Sequence, residues 1–126
     1  MEKVLGIGGF FFRALDPKGL ARWYADCLGV DLVQQDYGVL GWHQQAGTTV
    51  FSPFKQDSPY FGNTEKVWML NFRVRDMDSM VRQLRAKDVV VDVDPQVHPS
   101  GIYARFVDPE GNPVTIWESQ AVDARE

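Results

Sequence analysis

The chain has 126 residues, 44% of them hydrophobic, and a formal net charge of −4 at pH 7. This length predicts one domain with a core that needs no disulfide, and the acidic balance argues against nucleic acid or an anionic membrane as the main partner. The single cysteine, Cys27, excludes an internal disulfide and is typical of a reducing compartment. The N-terminus lacks the long apolar run of a signal peptide or a membrane span. We therefore expect a cytoplasmic protein.

The first half of the chain is predicted to form a strand, a helix and three further strands. An aromatic-rich strand leads to Asp16, and the next residue is a proline, which is favoured at the first position of a helix. The helix has apolar residues at i, i+3, i+4 and i+7 from Leu20, and Gly29 is its expected stop. Strand-like runs follow at residues 30–34, 39–43 and 48–54.

The second half repeats this order of elements. The pattern Phe-Arg-x-x-Asp occurs at residues 12–16 and again at residues 72–76. A second helix is predicted after Asp76, because apolar residues again recur at helical spacing. Strand-like runs follow at residues 89–93, 102–107 and 114–118. Two βαβββ modules in tandem predict an α+β fold with a half-open eight-stranded sheet and the helices packed outside.

The expected organisation is a single domain over residues 1–126. Module one covers residues 1–54, module two covers residues 66–118, and a polar linker that contains proline and glycine joins them at residues 55–65. The tail at residues 119–126 is polar and is expected to fray.

Residues 108–118 are the most informative stretch of the chain. The sequence Asp-Pro-Glu-Gly-Asn at 108–112 predicts a tight turn, because proline fixes φ early in a turn and Gly111 and Asn112 tolerate positive φ later in it. A strand that ends in Glu118 follows. The stretch resembles the DPxGNxxxxxE signature that closes the second module of the vicinal oxygen chelate superfamily, which includes glyoxalase I, bleomycin-resistance proteins and extradiol dioxygenases. The resemblance extends over nearly the whole chain and implies the same paired modules.

The resemblance implies a metal site that this chain does not complete. The superfamily takes one ligand from the first strand and one from the last strand of each module. Its His-x6-Asp pattern places Gly9 and Met69 at the two first-strand positions, and neither suits a hard or borderline divalent ion. The closing strand of module one, at residues 50–54, has no carboxylate or imidazole. Only Glu118 remains, so no metal cofactor is expected; a site rebuilt from His43, Glu118 and a further acid is the alternative.

Alternation along the strands predicts a ligand cavity on the concave face of the sheet. The side chains expected to line it are Phe11, Arg13, Trp42, Met69, Asn71, Arg73 and Glu118. The aromatic rings would supply contact area and a few polar groups would orient the ligand, as is usual for small-molecule pockets. Residues 94–101, which include two prolines, form a connection long enough to cover the cavity. The alternative is structural: the two arginines pair with acids near the helix caps, and Glu118 is a retained hairpin residue.

These observations favour a binding protein of the bleomycin-resistance type. It would hold a small aromatic or amphipathic molecule without a metal, and the resemblance implies a homodimer. The second hypothesis is an enzyme of the same superfamily, a lyase, isomerase or dioxygenase that uses Glu118 as its base or as its sole retained metal ligand. The third is an interaction module without a ligand. The absence of three expected metal ligands favours the first.

Overall fold

A computed structural model describes residues 1–31 and 41–120 of the chain. These residues form two α-helices and one four-stranded sheet, which is an α+β arrangement. The helices are α1 (Pro17–Leu28) and α2 (Met77–Ala86), and the strands are β1 (Leu70–Arg73), β2 (Asp92–Val93), β3 (Gly101–Val107) and β4 (Pro113–Ser119). No helix within the described residues is long and apolar enough to cross a membrane.

Both helices begin at the aspartates that were predicted to cap them. The Asp16 carboxylate accepts a hydrogen bond from the Gly19 amide at 3.1 Å, and the Asp76 carboxylate accepts one from the Ser79 amide at 3.2 Å. Each carboxylate thereby satisfies an amide that has no partner within its helix. Gly29 ends α1 with a φ of 73°, a left-handed conformation that a residue without a Cβ adopts at little cost.

The sheet has the order β1-β4-β3-β2. Strands β3 and β4 form an antiparallel hairpin around the turn at residues 108–112, and β1 pairs with β4 in parallel. The two long strands confirm the predictions for residues 102–107 and 114–118. The strand predicted at residues 89–93 is shorter than expected, since only Asp92–Val93 pairs with β3.

The four-stranded sheet comes from the second half of the chain alone. Within the described residues, the first half contributes α1 but no strand, so the predicted eight-stranded sheet is not observed. The strand predicted at residues 48–54 has no ladder, and those predicted at residues 30–34 and 39–43 lie partly outside the described residues. Apolar side chains of this half are left uncovered: Leu5 is 107% exposed and Phe51 is 84% exposed.

One face of the sheet packs against both helices. The buried residues of this core are Leu20, Tyr24, Cys27, Met77, Val81, Leu84, Val91, Ala104, Phe106, Val114 and Ile116. Since side chains alternate along a strand, the neighbours of these residues point to the opposite side. We call that side the helix-free face. Phe72 and Val74 pack against the core, as the alternation along their strand predicts.

The turn at residues 108–112 attaches α1 to the sheet. The Asp108 side chain is 3% exposed and accepts four hydrogen bonds, from the Tyr24 hydroxyl, the Glu110 amide, and the amide and side chain of Asn112. The Glu110 carboxylate accepts bonds from the amides of residues 15 and 16 at 2.7 and 3.0 Å. The conspicuous turn motif therefore holds the start and the middle of α1 against the hairpin.

Candidate functional site

The helix-free face carries two rows of side chains across three strands. The strand register places Arg73 beside Trp117 and Trp117 beside Tyr103. In the next row it places Asn71 beside Thr115 and Thr115 beside Arg105. Because neighbouring strands lie about 4.8 Å apart, each row is roughly 10 Å wide. The face therefore has one row rich in aromatic rings and one polar row.

The aromatic row is built around a stacked pair. The Tyr103 and Trp117 rings are 4° from parallel, with their centroids 6.1 Å apart. The Trp117 indole N–H donates to the Ser100 carbonyl at 2.9 Å, so this buried donor is satisfied. The backbone at Gly101 explains the close approach of β3 and β4, since a Cβ there would lie 2.1 Å from the Glu118 carbonyl oxygen. Only glycine fits at this position.

The polar row and the neighbouring arginine are already engaged. Asn71 donates to the Thr115 hydroxyl at 2.7 Å. Arg105 donates to the Tyr60 carbonyl and lies over the Tyr60 ring, 5.1 Å from its centroid. Arg73 donates to the carbonyls of residues 45 and 46 at 2.6 and 3.2 Å. Two arginines of the sheet thus hold the segment at residues 45–60 against the helix-free face.

A cleft of roughly 540 Å³ opens beside Tyr103. Its lining consists of Tyr60, Asp94, His98, Pro99, Ser100 and Tyr103. The connection at residues 94–101 supplies four of these residues. The cleft is a different place from the cavity that this connection was expected to cover, because none of that cavity's predicted residues lines it. The cleft combines aromatic walls with imidazole, carboxylate and hydroxyl groups, which is the composition of a small-molecule site.

The polar groups of the cleft form two linked pairs. His98 Nε2 lies 2.8 Å from the Asp94 carboxylate, and the imidazole and Tyr103 rings form a T-shaped contact with centroids 5.7 Å apart and an interplanar angle of 76°. Hydrogen bonds from His98 and from the Gln96 amide lower the pKa of Asp94, so this carboxyl is held ionised. The Ser100 and Tyr103 hydroxyls lie 2.8 Å apart and share one hydrogen bond.

The seven side chains expected to line a cavity do not converge in the described structure. Phe11 is 93% exposed, Arg13 is exposed, and the Trp42 ring lies 6.1 Å from that of Phe72, which packs on the helix side. Met69 directly precedes β1 and is half-buried. Asn71 and Arg73 share the helix-free face with the stacked pair, and none of the seven lines the cleft.

Glu118, which was expected to face the cavity, has its carboxylate on the helix side of the sheet in this structure. Its carboxylate accepts a hydrogen bond from the Met77 amide at 2.7 Å, at the first turn of α2. Glu118 does share its face with Val114 and Ile116, as the alternation predicts, but both of those residues are fully buried in the core. That face is the helix side, so Glu118 satisfies a free amide of α2 there.

None of the six lining residues was among the predicted site residues, and Tyr60 and Tyr103 also lie outside the connection at residues 94–101. The signal for Tyr103 was present, because Ala104 and Phe106 are the apolar partners that belong in a core, and Tyr103 alternates with them. Tyr60 and His98 have no such signal. They reach the cleft through a short 3-10 turn and through an isolated bridge between His98 and Gly101.

The ligand positions that the resemblance implies supply few free donors for a divalent metal among the described residues. Gly9 offers no side chain, Met69 offers a thioether, and the Glu118 carboxylate is bonded to a helix amide. Over residues 1–31 and 41–120, no three His, Cys, Asp or Glu side chains converge. His43 therefore has no partners there with which to rebuild a site around Glu118.

Comparison with known proteins identifies a family and a fold. Residues 6–116 match the family model described as Glyoxalase/Bleomycin resistance protein/Dioxygenase superfamily. An antibiotic binding protein, TnmS3 from Streptomyces sp. CB03234, is 23% identical with a TM-score of 0.66 over 95% of this chain and 100% of its own. A glyoxalase/bleomycin resistance protein from the same organism is 26% identical, with a TM-score of 0.54 over 82% of this chain and 91% of its own. A domain from Frankia sp. EAN1pec is 20% identical, with a TM-score of 0.53 over 94% and 100%. No curated protein matches significantly.

Proposed function

The chain belongs to the Glyoxalase/Bleomycin resistance protein/Dioxygenase superfamily, and from this premise we propose that it binds a small aromatic or amphipathic molecule without a metal. The observation that carries the proposal is the stacked Tyr103–Trp117 pair beside an open cleft on the helix-free face. A cleft of roughly 540 Å³ falls within the range of drug-sized ligand sites, about 300–1,000 Å³. The antibiotic-binding description of TnmS3 supports a ligand of that kind.

The ligand would lie over the cleft and the adjacent strands. Asn71 and Arg73 would border it, because their strand places them in the same rows as Thr115 and Trp117. Met69, one residue before that strand, would border the same side. The remaining predicted contacts, Phe11, Arg13 and Trp42, depend on the two-module sheet proposed below. No observation favours Glu118 as a catalytic base, since its carboxylate is bonded to α2.

We also propose that the complete molecule is a homodimer with the two-module, eight-stranded sheet. Leu5, Phe11 and Phe51 are among the uncovered apolar residues, and within the described residues β1 pairs only on its β4 side. A second copy that adds strands to this edge would cover the apolar residues and the open side of β1.

The setting we propose is cytoplasmic, supported by the lone cysteine, Cys27, in the core.

Light scattering coupled to size-exclusion chromatography tests the dimer. The expected mass is twice 14.3 kDa, and Phe51→Glu is expected to shift it toward the monomer because it places a charge on the covered surface. Val90→Glu is the control. Val90 is also highly exposed, at 88%, but it lies in the second half of the chain, directly before the core residue Val91. A monomer at all concentrations would contradict the proposal.

A thermal-shift screen with planar aromatic compounds, aromatic acids and antibiotics tests the binding function. A ligand that binds only the folded state raises the midpoint of unfolding. The midpoint is expected to rise with at least one aromatic class, and the rise is expected to survive removal of divalent metals by a chelator. A hit that requires added Zn²⁺, Ni²⁺, Mn²⁺ or Fe²⁺ would overturn the metal-free assignment.

A further inference from the structure

The Asp94–His98 pair determines which ring nitrogen of the neutral His98 side chain carries the proton. An ionised carboxylate can only accept hydrogen bonds, so in the neutral imidazole the proton lies on Nε2, which is 2.8 Å from Asp94. The other ring nitrogen, Nδ1, has no hydrogen-bond partner among the described residues. In that tautomer Nδ1 is a hydrogen-bond acceptor that can take a donor from a ligand.

The neighbouring hydroxyls of Ser100 and Tyr103 offer a hydrogen-bond donor. Ser100 and Tyr103 have two hydroxyl protons between them and share one hydrogen bond. The second proton has no acceptor among the described residues. The same cleft thus offers one unused acceptor and one unused donor, both next to the Tyr103 ring.

The charges around the cleft disfavour an anion. Asp94 is the carboxylate in its lining, and Arg105, which contacts the lining residue Tyr60, is committed to the Tyr60 carbonyl and ring. An aromatic carboxylate would approach Asp94 without an uncommitted cation to pair with among the cleft's lining residues.

We propose that the cleft selects neutral aromatic compounds that carry a hydroxyl group and a carbonyl or ether oxygen. The ligand hydroxyl donates to His98 Nδ1, the ligand oxygen accepts from the Ser100–Tyr103 pair, and the ring packs on Tyr103. This assignment rests on the proposed function, because it names the ligand class of the same site. Sequence alone does not suggest it, since the acceptor exists only through the fold that brings Asp94 to His98.

Three naphthalene probes test the selection by calorimetry at pH 8: 2-naphthol, 2-methoxynaphthalene and 2-naphthoate. The expected order is 2-naphthol first, with about two- to twelvefold weaker binding of the methyl ether, because one hydrogen bond is worth about 0.5–1.5 kcal/mol net. The anion is expected to bind weakest. His98→Phe keeps a ring beside Tyr103 but removes Nδ1, so it is expected to abolish the preference for 2-naphthol over its ether. His43→Gln, at an exposed histidine outside the cleft, is the control.

Asp94→Asn provides a second readout that a merely structural role would not produce. The asparagine oxygen can keep the bond from the Gln96 amide, while its NH₂ group donates to Nε2. The imidazole proton then moves to Nδ1, so the variant is expected to gain affinity for the methyl ether relative to 2-naphthol. Equal binding of all three probes, with loss of binding in Tyr103→Ala, would overturn the selection and leave the binding function standing. Failure of all three probes would overturn the selection, and the binding function would fall as well if the wider thermal-shift screen also gave no hit.

Discussion

The Tyr24 hydroxyl donates a 2.7 Å hydrogen bond to the Asp108 carboxylate, 84 residues later in the chain, and both side chains are buried. This contact joins α1 to the turn that carries the family signature. The same Asp108 side chain also accepts hydrogen bonds within the turn from the backbone amides of Glu110 and Asn112 and from the Asn112 side chain. The motif that suggests a metal site thus has a structural role that is independent of any metal.

Removing this bond is expected to destabilise the protein. Tyr24→Phe leaves the buried Asp108 carboxylate one donor short, and a bond to a charged group is worth about 2 kcal/mol. Urea unfolding at pH 7 measures the change. The control is Tyr60→Phe, at an exposed tyrosine whose hydroxyl has no hydrogen-bond partner among the described residues, and it is expected to stay within about 0.5 kcal/mol of wild type.

The same tyrosine predicts a loss of stability in alkali. Burial, and then the hydrogen bond and charge of Asp108, raise the pKa of Tyr24 in the folded state. An unfolded tyrosine titrates near about 10, so the stability from Tyr24 is complete below that pH and declines as the pH rises above it. Unfolding curves at pH 8 and at pH 11 measure the decline. Tyr24→Phe is expected to lose less stability than wild type between these two points; an equal loss would contradict the account.

Glu110 is expected to stabilise the start of α1. Its carboxylate accepts hydrogen bonds from the amides of Leu15 and Asp16. A negative charge at this N-terminal end of α1 also interacts favourably with the helix dipole. Glu110→Gln is expected to cost about 1 kcal/mol, and hydrogen exchange at the first turn of α1 is expected to accelerate. Glu65→Gln, an exposed acid in the predicted linker, serves as the matched change. Unchanged exchange in α1 would show that the contact contributes nothing.

Glu118 is expected to affect stability and not ligand affinity. Glu118→Gln keeps an oxygen for the Met77 amide but removes the charge at the N-terminus of α2, which is worth about 0.5–1 kcal/mol. Calorimetry with any ligand from the thermal-shift screen is expected to give an unchanged Kd. A tenfold weaker Kd in this variant would place Glu118 in the binding site and restore the sequence prediction.

Much of this architecture could be predicted from the sequence because local signals agree. Asp16 and Asp76 precede apolar helical stripes, and the 108–112 turn lies between two β-rich runs. The orientation of Glu118 could not be settled by alternation alone, since alternation groups side chains without saying which group meets the helices. The cleft depends on tertiary relationships that no local pattern carries, since the fold brings Tyr60 from a 3-10 turn and His98 from a loop to the same cleft as Tyr103.

The most direct test of the central claim is the affinity of Tyr103→Ala for an aromatic ligand, measured by calorimetry. Truncation removes the ring that borders the cleft and covers Trp117, so we predict at least a tenfold increase in Kd. Val90→Ala, at an exposed apolar side chain outside the cleft, is expected to leave the Kd unchanged. A folded Tyr103→Ala variant that binds as tightly as wild type would contradict the assignment of the site.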